Sequence, residues 1–470
     1  MRDENSCSFW EGGECLKKEV NMIEGSIFKG LFALALPVML MNVTQMLFNV
    51  VDMTVLKIFD TGDGYAVGAV GSCGILIALV TGLVIGISAG SNVVVAKYIG
   101  RGDKERTERA VGASVFFSLV GGVALLIVGV TCARLFLSWM KCPTELLDGA
   151  TLYFRLYFAG APILALYSFA AAILRAAGDS KRPMLYLILG GAFKVSFNLL
   201  FVGVFSWGVA GTAFATLISW SVTAVLSMRA LLRFRGAVRL KLHRIRPYGA
   251  ELKEILMVGV PAGLQQGLYS VANAVITATV NTVGADAATG IGIANQFDNI
   301  LYHVSVAPSL AVMPYVSQNI ARGNVKRASR SVAFGMLITV ALGATFGALS
   351  AIFSPQLSSM MTDSQAVIDY SCQKMVIISS TYFICGINEI MGGALRGMGK
   401  PIIPTIATFV YMFAFRFLWV YVIFPPFYPN LTILFLVWPI GWVLSIVTLL
   451  CFFFPTLRRH ARRIAQGQAA

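Results

Sequence analysis

A chain of 470 residues with 57% hydrophobic and only 13% charged residues, at a mean hydropathy of +0.76, lies far from the soluble average of roughly 25% charged. Its formal charge of +15 would suit nucleic acid, but the basic residues are dealt out between apolar runs instead of forming one patch. A soluble enzyme and a nucleic-acid-binding domain are both excluded.

The first 21 residues are polar and hold Cys7 and Cys15, while Met22 opens a stretch leading into the first apolar run and is a candidate translation start. Residues 1–27 are therefore expected to be a cytoplasmic extension. Six apolar segments follow at 33–57, 68–95, 110–137, 148–174, 183–206 and 208–232, each near the roughly 20 residues that cross a bilayer as a helix. A basic stretch at 234–252 separates them from six more at 254–282, 288–318, 332–353, 370–395, 402–424 and 431–454. The chain reads as an all-α polytopic membrane protein of twelve transmembrane helices, with six-helix lobes at 28–233 and 253–457 and a tail at 458–470. No loop has room for an ATPase domain, so energy for transport must come from an ion gradient.

The second lobe repeats the first. Pro37 in LALPVML returns as Pro261 in VGVPAGL. At nearly the same offset, Ile99, Arg101, Gly102, Arg106 and Arg109 return as Ile320, Arg322, Gly323, Arg327 and Arg330, and Leu174–Gly178 returns as Leu395–Gly399. Six helices per copy start both copies on the same side, so the repeats are parallel and related by an axis along the membrane normal. Two such halves around a central cavity are the plan of a transporter.

Lys and Arg cluster in alternate loops: Arg101–Arg109, Lys181–Arg182, Arg235–Arg246, Arg322–Arg330, Lys400 and Arg458–Arg463. The intervening loops 60–65, 284–289 and 425–430 carry none, which is the positive-inside pattern and puts both termini in the cytoplasm. The linker is expected to attract anionic lipid. Eight cysteines show no CxxC or metal spacing, and His243, His303 and His460 are too far apart for a metallohydrolase, so no metal or organic cofactor is expected. GGALRGMGK at 392–400 is a poor phosphate loop, with wrong glycine spacing and Pro401 after it.

Polar residues inside apolar helices carry the functional signal, because the bilayer makes them costly. The first helix presents Asn42, Gln45, Asn49 and Asp52 on one face, bordered by Met46 and Met53. The seventh presents Gln266, Ser270, Asn273, Thr277 and Asn281, so Asn42 and Asn49 have counterparts in Gln266 and Asn273. Both stripes are expected to line the cavity; the alternative is interhelical hydrogen bonding alone. Asp52 aligns with Ile276, leaving the second copy without that carboxylate. The remaining buried charges and polar groups are Asp298, Asn299 and His303 on the eighth helix, Glu389 on the tenth, Lys194 and Asn198 on the fifth, and Arg416 on the eleventh. Each acid is either a coupling group or the member of a static pair with Lys194 or Arg416. Gly82, Gly86 and Gly90 form overlapping GxxxG motifs that favour close helix packing, and Pro37 and Pro261 favour kinks.

Taken with this plan, FNVVDMTVL at 48–56, VAKYIGRGDKERTERAV at 95–111, ILRAAGDSKRP at 173–183, VSQNIARGN at 316–324 and ALRGMGKP at 394–401 resemble the multidrug and toxic compound extrusion (MATE) family, closest to its bacterial DinF-like branch. The resemblance runs from Met22 to about Arg459. It implies export of organic, often cationic compounds against protons or sodium, with Asp52 as the coupling aspartate of the first lobe. Members of the family often carry Asp at the position of Asn198 and Asn at that of Lys194. The sodium-coupled NorM-like branch carries Glu where Tyr269 stands.

These departures favour proton coupling through Asp52, with Lys194 and Asn198 beside it. The expected protein is a monomeric, multi-pass exporter of the bacterial inner membrane, with small molecules and lipid as its partners and no nucleic acid. A sodium-coupled exporter, a lipid-linked sugar flippase and a non-transporting receptor or scaffold are the alternatives.

Overall fold

A computed structural model of the chain describes residues 20–59, 66–139, 144–234 and 236–466, and these are helical throughout apart from turns and short loops. Long apolar runs leave no other choice in lipid, where each backbone N–H and C=O must be satisfied within its own segment. Ten helices are long and apolar enough to cross a membrane, or up to 12 when each of two bent pairs counts as one span.

In chain order the spans of the first lobe are α1 (Ile27–Phe59), α2 (Ala66–Arg101), α3 (Lys104–Trp139), the bent α4 (Thr144–Ala159 with Ala161–Ala176), α5 (Lys181–Val204) and α6 (Gly208–Arg233). The second lobe holds α7 (Gly249–Asn281), α8 (Ala285–Ala321), α9 (Val325–Ile352), the bent α10 (Gln365–Ser379 with Tyr382–Gly397), α11 (Ile402–Ile423) and α12 (Leu431–Ala465). All twelve segments expected from hydropathy are present. The two breaks, of 46° and 45°, fall at Gly160 and at Ser380–Thr381. They do not fall at Pro37 or Pro261, which lie inside unbroken helices.

Periodicity alone does not foretell the π-helical turns. They occupy Leu199–Val204 at the end of α5 and both Thr408–Ala414 and Trp419–Ile423 in α11. Such turns favour functional sites, since one extra residue per turn re-aims the side chains around it. Asn198 directly precedes the first, and Arg416 lies in the single α-helical turn between the other two.

The lobes meet along α2–α7 and along its counterpart in the repeat, α1–α8. The glycine stripe makes the first seam possible: a Cβ at Gly86 would lie 2.5 Å from the Gly263 Cα, and one at Gly90 would run into the Ile255 carbonyl oxygen. Further on, Ser317 Oγ donates to the Val93 carbonyl at 2.8 Å, and Gln318 Nε2 to the Ala176 carbonyl at 2.8 Å.

These contacts run from mid-helix towards one end, where α2 and α8 finish and α1 and α7 begin. A strap of residues 20–26 crosses that end. Val20 N–H donates to the Gly178 carbonyl of the first lobe at 3.0 Å, and Met22 is 1% exposed against the second. Arg327 donates to the carbonyls of Met22, Gly25 and Glu24 at 3.0, 3.0 and 2.8 Å. The linker docks at the same end through Lys241–Glu108 at 2.8 Å.

Candidate functional site

Within the first lobe, Asp52 of α1 meets α5. Lys194 Nζ lies 2.5 Å from Asp52 Oδ2, and Asn198 Nδ2 donates to Asp52 Oδ1 at 2.9 Å. Thr212 of α6 extends the chain by donating to Asn198 Oδ1 at 3.2 Å. Both carboxylate oxygens are thus engaged, and Asp52, Lys194 and Asn198 are all buried. Tyr153 of α4 flanks the aspartate. The structure brings together the three residues grouped from sequence and adds Thr212. The missed signal is a second polar face on α6, where Thr212, Thr216, Ser219 and Thr223 recur at helical spacing and are all buried.

The second lobe departs from expectation. Asp298 pairs with neither Lys194 nor Arg416, but with Lys374 of α10, at 2.7 Å. Lys374 also donates to Asn295, one turn earlier on α8. Lys374 was readable from sequence as a buried lysine by the test applied to Lys194, but not as the partner of Asp298. Farther along α10, Glu389 lies 3.6 Å from Arg396 and accepts from the Tyr269 hydroxyl at 3.1 Å. Arg416 meets no carboxylate among the described residues. Its Nη1 donates to Asn273 Oδ1 at 2.5 Å, and its guanidinium lies 5.1 Å from the centre of the Trp438 ring.

The polar stripes divide. Asn42 and Met46 are half-buried and Gln45 is exposed, while the side chains of Asn49 and Met53 lie outside the described residues. On α7, Gln266 sits half-buried against Gly82 of α2, at the seam between lobes, and Ser270 donates back to the Gln266 carbonyl at 3.2 Å. Asn273 is exposed on one side and held by Arg416 on the other; Thr277 is exposed. On α8, Asn299 is exposed and His303 is half-buried beside Tyr302.

Comparison with known proteins agrees with this plan. The MatE family profile matches residues 37–200 and again 261–422, once in each lobe. Among curated proteins, the chain is 26% identical over 389 residues to "Probable multidrug resistance protein YoeA" of Bacillus subtilis, covering 81% of this chain and 83% of that one. Among solved structures, a MATE protein crystallised in a straight conformation superposes with a TM-score of 0.84 at 23% identity, covering 95% of this chain and 99% of that one. An outward-facing multidrug resistance MATE transporter superposes with a TM-score of 0.83 at 22% identity, covering 95% and 98%. At these identities the structural likeness speaks for the fold.

Proposed function

The chain belongs to the MatE family, and from that premise we propose that it is a secondary exporter, moving organic amphipathic compounds, cations among them, out of a bacterial cell in exchange for protons. The observation that carries the coupling is the buried Asp52–Lys194 contact with Asn198 on the second oxygen, which ties α1 to α5 through one titratable group. A proton arriving on Asp52 neutralises it and takes away the partner of Lys194. The tie between the helices then loosens, and deprotonation restores it. A group that changes both charge and helix contact in one step is suited to bias a two-state lobe.

Sidedness follows from charge. The end with the strap, the linker and the basic loops belongs in the cytoplasm by the positive-inside rule. In that orientation the seam lies towards the cytoplasmic side, and each monomer carries its own path through the inner membrane.

The test is counterflow of a fluorescent organic cation in proteoliposomes, under imposed proton and sodium gradients separately. Uptake driven by the proton gradient alone is expected. Uptake driven by sodium alone transfers the reading to the sodium-coupled alternative, and movement under neither gradient removes the exporter reading.

A further inference from the structure

We infer that Arg416 anchors a second subsite, inside the carboxyl-terminal lobe, which takes an oxyanion (carboxylate or phosphate) carried by the transported compound. This deepens the exporter reading and rests on it. Among the described residues, three cations lie deep inside the lobe with two acids: Lys374 is paired with Asp298 at 2.7 Å and Arg396 with Glu389 at 3.6 Å. The excess charge falls on Arg416, which is 2% exposed. No carboxylate among the described residues pairs with it, since Asp298 and Glu389 are taken by Lys374 and Arg396. A buried charge without a counter-charge is costly, and proteins that keep one generally use it.

The geometry specifies the ligand further. Nη1 is fixed on Asn273, and Trp438 packs against the guanidinium while Lys374 approaches the same ring at 5.8 Å. Among the described residues, the buried Nε has no hydrogen-bond partner and Nη2 makes no hydrogen bond. Nε and Nη2 form the edge of the fork that receives two oxygens of one carboxylate or phosphate. Asn273, which holds the other edge, is itself exposed on the α7 stripe beside Thr277, so the fork borders the face expected to line the transport path.

The repeat explains why the site is incomplete. Lys194 and Arg416 lie one residue apart in register: their offset is 222, against 221 for the preceding pair Leu174–Gly178 and Leu395–Gly399, so each is the cation of its lobe at about the same depth of the repeat. In the first lobe the cation is neutralised from within, by Asp52. In the second, Ile276 stands where Asp52 would be and is 3% exposed. The carboxylate that one lobe carries as a side chain is supplied to the other by the substrate.

The test uses the purified full-length protein and two xanthene dyes with the same cationic ring, one bearing a free carboxylate and the other its methyl ester. Binding is followed by fluorescence anisotropy without any gradient. The acid should bind about tenfold more tightly than the ester, the scale of one charge-assisted hydrogen-bonded pair. Arg416→Gln should bring the acid down to the affinity of the ester and leave the ester unchanged. Ile276→Asp keeps the guanidinium but neutralises it from within, and should abolish the preference too; it also serves if Arg416→Gln does not fold. Asp52→Asn combined with Lys194→Asn removes both members of the first-lobe pair and leaves no stranded cation there; it should retain the preference, so a failed proton-coupling reading does not touch this result.

Equal affinity for acid and ester, no binding of the acid, or a preference that survives both Arg416→Gln and Ile276→Asp overturns the inference. Arg416-dependent thermal stabilisation by inorganic phosphate, without preference for the acid dye, overturns it in favour of a free-ion site.

Discussion

Asp52 is the residue on which the coupling argument turns, and the consequence of removing it differs from that of an isolated buried acid. Asp52→Asn should abolish gradient-driven transport in proteoliposomes. It also strands Lys194, which is 8% exposed. Breaking a buried pair on one side costs about 3–5 kcal/mol, so the melting temperature should fall. Adding Lys194→Asn removes the stranded charge and should recover stability without recovering transport, whereas transport intact in Asp52→Asn takes the residue out of the mechanism. Lys194→Asn with Asn198→Asp replaces the ammonium by an amide and moves a second carboxylate onto α5; proton-driven transport should persist in that variant. The components of this site were legible because an ionisable or amide side chain in an apolar helix is conspicuous at single-residue level. Pairing was less so. Asp298 and Lys374 lie far apart in sequence on different helices, and no periodicity within either helix selects Lys374 over Arg416 as the partner. Thr212 escaped for a related reason: threonine is common in membrane helices, and only its position opposite Asn198 gives it meaning.

At the level of elements, the α2–α7 seam and the strap seal one end of the molecule by different means. At Gly86 the nearest atoms to an added Cβ are backbone, Gly263 Cα at 2.5 Å and Gly263 N at 2.6 Å, so no rotamer change can make room. Gly86→Val should therefore push the lobes apart at this end, while Gly267→Ala on α7, where an added Cβ meets nothing within 4 Å, should be tolerated. Arg327→Gln removes the guanidinium that holds three strap carbonyls and should act in the same direction as Gly86→Val, more weakly. Spin labels at the exposed Lys104 and Lys326, in the first turns of α3 and α9, report this as a shift of the distance distribution to longer values. An unchanged distribution in Gly86→Val would show that the seam does not depend on this contact. The helix count, the cores of the spans and the glycine stripe were readable, because hydropathy and GxxxG spacing are local signals; the helix ends were not, and the last helix runs on to Ala465. The partner of the stripe was not, since close packing is a property of two helices. The π turns were hidden as well, because inserting one residue into a turn leaves composition untouched. Residues 20–26 read as a plain extension because their role lies in backbone carbonyls, which every sequence supplies.

For the molecule as a whole, duplication and charge placement make one joint claim about orientation. Six spans per copy return the chain to its starting side, so the strap, the linker and the α2–α3 and α8–α9 turns must share one end. The structure meets that requirement through contacts: Lys241 with Glu108 at 2.8 Å, Lys97 with Glu254 at 2.9 Å, and the strap with Gly178 and Arg327. Geometry alone leaves open which way this end faces, and the positive-inside rule supplies the direction. The loop at 60–65, expected to face outward, lies outside the described residues, so the opposite end is best probed at 425–430. In a background with its native cysteines replaced, Leu242→Cys in the linker and Phe427→Cys in the α11–α12 connection are suitable sites, with 66% and 49% of their surface exposed. A membrane-impermeant maleimide added to intact cells should label Phe427→Cys and spare Leu242→Cys until the cells are opened. The reverse pattern would invert the molecule in the membrane, place the sealed seam outside, and overturn the sidedness on which the proposed direction of export rests.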